Sequence, residues 1–164
     1  SKTKIFITGG TFDKGYNELT GELFFENTHM YELLKLGRCK AEVEIETIMM
    51  VDSLEMTETQ RNYIIQKCIK EPINKIIITH GTDTMVDTAQ ELAKHIDDKT
   101  IVLTGAMIPF KFGSSDGLFN MGSALAYVQA LNHGIYVAMN GQFFSYKNVK
   151  KNYKLGIFEE LEIC

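Results

Sequence analysis

The chain has 164 residues, 45% hydrophobic and 23% charged, with a net charge of −4. This length suits one domain with a substantial core, and the composition is that of a globular protein. The acidic balance, with lysines dispersed apart from Lys150 and Lys151, argues against a dedicated nucleic-acid binder, which carries a basic stripe.

Taken in chain order, short apolar runs alternate with helical stretches. Ile5-Phe6-Ile7 is β-prone and apolar on both faces, as a central strand of a covered parallel sheet should be. The segment from Thr11 to Thr28 then holds Gly15, Asn17, Gly21 and Asn27 around Leu23-Phe24-Phe25. A loop of that length is read as a lid or as a small β-hairpin over a sheet end, and both can be true. From Glu42 to Ile48, Glu42, Glu44 and Glu46 alternate with Val43, Ile45 and Thr47, which predicts a half-solvated strand near an edge. Thr57 with Gln60 forms a capping-box pattern, and Tyr63, Ile64 and Cys68 supply an apolar stripe behind it. Ile76-Ile77-Ile78, Ile101-Val102-Leu103 and Ile135-Tyr136-Val137 are further central strands. Between them fit a helix from Asp83 or Thr84 to about Ile96, with Met85, Ala89 and Leu92 inward, and another from about Gly117 to Leu131. The expected fold is α/β, a three-layer sandwich around a mainly parallel central sheet, in a single domain over residues 1–164.

Cys39, Cys68 and Cys164 lack C-x-x-C spacing and read as free thiols in a reducing compartment. His29, His80, His95 and His133 lack metal-ligand spacing, so neither metal nor cofactor is expected. Lys2 and Lys4 lead straight into a short strand rather than a signal peptide, and no apolar run approaches a membrane span. A cytoplasmic protein without membrane or nucleic-acid partners is the expectation.

Open parallel sheets bind ligands beyond the carboxyl ends of their strands. The expected strands end in Thr8-Gly9-Gly10-Thr11, Asp52-Ser53, Thr79-His80-Gly81-Thr82-Asp83-Thr84, Thr104-Gly105-Ala106-Met107 and Met139-Asn140-Gly141. Taken singly, each is a turn or a helix cap. There is no G-x-G-x-x-G fingerprint and no Walker lysine. Together they gather threonines, a serine and an aspartate at one end of one sheet. A threonine hydroxyl needs a base to act as a nucleophile, and glycine-rich turns expose main-chain N–H groups to an oxyanion. Acyl transfer from an amide or ester is the chemistry such a set can perform.

Ile7-Thr8-Gly9-Gly10-Thr11-Phe12 resembles the first motif of the bacterial-type L-asparaginase family, and Thr79-His80-Gly81-Thr82-Asp83-Thr84-Met85 is similar to its second, T-H-G-T-D-T-M. Leu103 to Pro109 resembles its G-A-M-x-P segment, and Ser115-Asp116-Gly117 with Asn120 its S-D-G-x-x-N segment. The resemblance spans the larger, N-terminal domain of the usual two-domain enzyme, so a short single-domain form is expected. It implies hydrolysis of the side-chain amide of L-asparagine to L-aspartate and ammonia through an acyl-enzyme, with slower action on glutamine, in a homo-oligomer.

The resemblance also implies roles. Thr11 would be the nucleophile and Tyr16, on the mobile loop, its partner. Thr82 and Asp83 would belong to a Thr-Lys-Asp relay, with Asp83 also holding the substrate α-ammonium. Ser53, beside Asp52, would contact the α-carboxylate. Gly10, Ala106 and the main chain around Thr82 would complete the substrate-binding set. The helix stretch Ser123 to Leu131 contains no lysine, which leaves Lys111, Lys147, Lys150 and Lys151 as candidates for the relay. Lys151 is favoured because Asn148-Val149-Lys150-Lys151 follows the last central strand and can fold back over the strand ends. The alternative is a catalytically weak or inactive asparaginase-like module that binds an amino acid. The two threonines favour the enzyme, because a sensor needs no nucleophile.

Overall fold

A computed structural model describes residues 1–16, 18–25 and 27–161. Asn17, Cys164 and the side chain of Tyr16, all singled out by the sequence analysis, lie outside the described positions. The elements run β1 (Thr3–Ile7), β2 (Lys14–Tyr16), β3 (Leu23–Phe25), α1 (Met30–Leu36), β4 (Val43–Thr47), α2 (Glu58–Lys70), β5 (Lys75–Thr79), α3 (Met85–His95) and β6 (Thr100–Thr104). They continue with α4 (Gly117–Ala130), β7 (Gly134–Met139), β8 (Gln142–Ser145), β9 (Lys150–Asn152) and β10 (Ile157–Glu159).

One six-stranded sheet has the order β4-β1-β5-β6-β7-β8. Its first five strands are parallel, and only β8 runs antiparallel, against β7. Strand side chains alternate between two cores, as pleating requires. Phe6, Ile76, Ile78, Ile101, Leu103 and Val137 pack with Ile64, Ile65 and Cys68 of α2 and Met85, Ala89 and Leu92 of α3. Ile5, Ile7, Ile77, Val102 and Ala138 pack on the opposite face with Met30 and Leu33 of α1 and Met121, Ala124 and Val128 of α4. The fold is thus a three-layer α/β sandwich with a mainly parallel sheet.

The half-solvated strand is the sheet edge β4. The Thr57 capping box is formed in both directions: Gln60 N–H donates to Thr57 Oγ1 and Thr57 N–H to Gln60 Oε1. The stripe behind it differs by one residue, because Ile65 is buried while Tyr63 is 49% exposed. Asn140 and Gly141, read as a strand end, are a tight turn with φ of 58° and 74°, and they fold β8 back on β7. The segment from Thr11 to Thr28 contains the hairpin β2–β3. Its base is closed by Asp13, whose carboxylate accepts from Thr28 Oγ1 and from the His29 N–H at 2.8 Å.

A second hairpin, β9–β10, follows the sheet. Val149 and Phe158 anchor it in the core. Asn140 Oδ1 accepts from the Phe158 N–H at 2.7 Å and Asn148 Oδ1 from the Leu161 N–H at 3.0 Å. This anchorage ties the hairpin to the turn at the carboxyl end of β7.

Candidate active site

The turns at the carboxyl ends of β1, β4 and β5 touch one another through atoms that leave no room for side chains. Gly10 has φ of 93°, a conformation glycine adopts readily. A Cβ on it would lie 2.6 Å from Gly81 N, and one on Gly81 would lie 2.5 Å from Ser53 Oγ. A Cβ on Gly9 would collide with the main chain of Val51. Glycine at these positions therefore lets three strand ends converge. Thr11 and Thr82 each follow one of the contacting glycines directly. Thr11 opens a one-turn 3-10 helix and is half-buried, while Thr82 is 7% exposed.

Ser53 is buried and opens a second 3-10 turn. Its Oγ accepts from the Thr84 N–H at 3.3 Å, which leaves its own proton for an acceptor. Asp52 caps the same turn by accepting from the Leu54 N–H. It also takes a hydrogen bond from Lys14 Nζ at 2.9 Å, which joins the β2–β3 hairpin to this turn. That hydrogen bond holds the Asp52 carboxyl below its usual range. Ala106, at the end of β6, turns its side chain into the core, so only its main chain can face a ligand.

Lys151 reaches the same place from β9. Its Nζ donates to Thr82 Oγ1 at 2.7 Å and to Asp83 Oδ1 at 2.8 Å. The lysine side chain is 10% exposed and that of Asp83 27%. Lys150, one residue before Lys151, pairs with Glu159. Tyr153, which the sequence reading did not single out, places its ring 4.6 Å from Lys151 Nζ and its Oη 3.4 Å from the Asp83 carbonyl. Burial, with the Asp83 carboxylate nearby, raises its phenol above the usual range. Tyr153 lies in the turn that follows β9, two residues from Lys151.

Behind these groups lies His80. Its Nδ1 is 2.7 Å from Gly81 O, and its Nε2 is 2.7 Å from Thr88 Oγ1. Burial pushes the imidazole down to about 4. Folding thus favours the neutral ring, whose stabilising contribution is present above the ordinary value of 6.5 and is lost as the pH falls toward 4. This one group should lower the unfolding free energy by about 1.4 kcal/mol per pH unit across that window. Urea unfolding at pH 7 and pH 5, paired with an NMR titration of the ring, checks it. A ring titrating at its ordinary value would contradict the assignment.

A three-layer sandwich whose polar, glycine-rich turns converge at the carboxyl ends of parallel strands is an α/β domain of the open-sheet class, in which such strand ends are where ligands bind. The chain belongs to the asparaginase family, with residues 2–157 matching the family model Asparaginase, N-terminal. It is 33% identical over 161 residues to L-asparaginase 2 of Escherichia coli, a match covering 90% of this chain and 45% of that protein. It is 29% identical over 162 residues to the L-asparaginase of Thermococcus kodakarensis, covering 95% and 49%. The solved structure of the thermostable L-asparaginase from that organism superposes with a TM-score of 0.87 at 27% identity, over 100% of this chain and 52% of that one. A probable cytoplasmic L-asparaginase from Campylobacter jejuni gives 0.81 at 32% identity, over 98% and 53%. The chain spans about half the length of the curated relatives it matches across most of its own length. Among the described residues, no helix is long and apolar enough to cross a membrane.

Proposed function

We propose that this chain is an amidohydrolase that cleaves the side-chain amide of L-asparagine to L-aspartate and ammonia, and acts more slowly on glutamine. The observation that carries the reading is the contact of Lys151 Nζ with both Thr82 Oγ1 and Asp83 Oδ1, beside the turn that holds Thr11. A lone lysine–aspartate pair would be structural. A lysine shared between a carboxylate and a hydroxyl at a strand-end site is equipped to manage a proton.

In this reading Thr11 Oγ1 attacks the side-chain carbonyl carbon, with Tyr16 as its partner. The threonine proton passes to the amide nitrogen, the C–N bond breaks and ammonia leaves. An aspartyl ester remains on Thr11. Main-chain N–H groups at Gly10 and Thr82 stabilise the oxyanion on the way in and out. Water then adds to the ester carbon and gives a proton to the Thr82–Lys151–Asp83 set; the C–O bond to Thr11 breaks, and the set returns that proton to the Thr11 oxygen to restore its hydroxyl. Lys151 donating to Thr82 Oγ1 stabilises negative charge that develops there and leaves the Thr82 proton for another acceptor.

The same groups suit an amino acid's charged ends. Asp83 uses Oδ1 on Lys151 and keeps Oδ2 for the α-ammonium. Ser53 has a proton to donate to the α-carboxylate, and Ala106 offers its main chain. Asp52, held by Lys14, ties the β2–β3 hairpin to the Ser53 turn. Steady-state ammonia release from L-asparagine tests the reading. Asp83→Asn removes a charge-assisted hydrogen bond of roughly 1.5–3 kcal/mol, so KM for L-asparagine should rise about tenfold to a hundredfold. An unchanged KM would remove Asp83 from ammonium recognition, and no ammonia release by the intact protein would defeat the reading.

A further inference from the structure

Arg61, on α2, has no place in the chemistry above, yet its guanidinium is spent on the segment that carries Thr82 and Asp83. Its Nε–H donates to Thr88 Oγ1 at 2.9 Å, and its Nη2 donates to Thr84 Oγ1 at 3.0 Å. A guanidinium only donates, so each threonine oxygen is an acceptor toward it and must direct its single proton elsewhere. The Thr84 proton goes to the carbonyl of Ser53 at 2.9 Å. The Thr88 proton goes to His80 Nε2 at 2.7 Å.

The direction of the second arm is fixed at its far end. Gly81 O can only accept, so His80 Nδ1, 2.7 Å away, carries the ring proton, and Nε2 is the acceptor that the Thr88 hydroxyl meets. Donors therefore run one way, from Arg61 through Thr88 and His80 to the Gly81 carbonyl. In a trans peptide the carbonyl and the next N–H point in opposite directions. Holding Gly81 O against His80 turns the Thr82 N–H of the same peptide away from the histidine. The first arm holds the Ser53 turn, whose Oγ also accepts the Thr84 N–H.

We propose that Arg61 is a positioning residue that, through Thr88 and His80, sets the direction of the Thr82 N–H as an oxyanion donor and, through Thr84, seats Ser53. This rests on the amidohydrolase reading. It goes beyond that reading by assigning catalytic consequence to a helix residue that touches no substrate. Thr88 is fully buried and His80 nearly so, which makes the arm rigid enough to transmit an orientation.

The test uses the intact protein with Arg61→Met, which keeps the stem and removes the donors, and Thr88→Val, which removes only the bridge. Misplacing a reacting group by about an ångström can cost on the order of a hundredfold. Arg61→Met should lower kcat by tenfold to about a hundredfold. Thr88→Val should do the same with KM within about threefold, and the double variant should be no worse than the worse single one. Thr84→Val should act mainly on KM. The ¹⁵N resonance of His80 Nε2 should move toward that of an unbonded ring nitrogen in both Arg61→Met and Thr88→Val, a readout independent of turnover. Wild-type kcat in Arg61→Met, or fully additive losses in the double variant, would overturn the proposal. If the wild type releases no ammonia, the amidohydrolase reading falls and the resonance decides the network by itself, an unmoved Nε2 overturning it. If Arg61→Met does not fold, Thr88→Val decides, and wild-type kcat there overturns the proposal.

Discussion

Thr11→Val should reduce ammonia release from L-asparagine by at least about a thousandfold, the scale on which loss of a nucleophile acts in enzymes that form acyl intermediates. Valine matches threonine in shape and branching, so the 3-10 turn at Thr11–Asp13 and the contact between Gly10 and Gly81 should persist. What disappears is the one protein atom that the mechanism bonds to the substrate carbon. Binding should be largely spared, because Asp83 and Ser53, not Thr11, are assigned to the charged ends of the amino acid. The comparison is kcat and L-aspartate affinity for the variant and wild type, with circular dichroism confirming the fold. Wild-type turnover in Thr11→Val would remove Thr11 from the chemistry.

Lys151→Met should lower kcat by about a hundredfold or more, the contribution expected of a group that manages a proton in the transition state. Its stability cost should be small. Lys151 sits on a hairpin held by Phe158, Val149 and the two asparagine contacts, none of which involves its amino group. Asp83, 27% exposed, would also recover water in place of the lost ammonium. KM should change less than kcat, the opposite of the pattern expected for Asp83→Asn, and steady-state kinetics on the two variants separate a proton-handling role from a binding role. A Lys151→Met protein with wild-type kcat would make the Lys151 contacts structural.

The sandwich was legible because its strands are buried on both faces and therefore read as unbroken apolar runs, Ile76-Ile77-Ile78 most plainly. β4 was legible for the opposite reason, since an edge strand alternates. β8 is not evident in the sequence, because Asn140-Gly141 follows β7 in the way the functional strand ends follow theirs. The pair is also a strong short-range signal for a two-residue hairpin turn, and here both residues have positive φ. The β9–β10 hairpin is built from two three-residue strands in a polar stretch, too short for any period to declare itself. That hairpin delivers Lys151, so its contacts with Thr82 and Asp83, 69 and 68 residues away, are products of tertiary folding. The same holds for Arg61, whose partners lie 27 and 23 residues further along. Along α2 the spacing points Tyr63 inward with Ile64 and Cys68, but the helix buries Ile65 in its place. The motifs after the strands were visible as glycine-rich polar turns. Their reason for being glycine-rich, the mutual contact of Gly10, Gly81 and Ser53, is visible only in three dimensions.

Acid-quenching the protein during turnover of L-asparagine and mapping its peptides by mass spectrometry shows whether an acyl group is carried on Thr11. Thr82→Val, which should slow hydrolysis of the ester more than its formation, is the variant in which it should accumulate. An aspartyl ester is expected on the peptide that carries Thr11, absent when Thr11 is replaced by valine. An ester on Thr82 in the wild type, or sustained ammonia release by Thr11→Val, would contradict it.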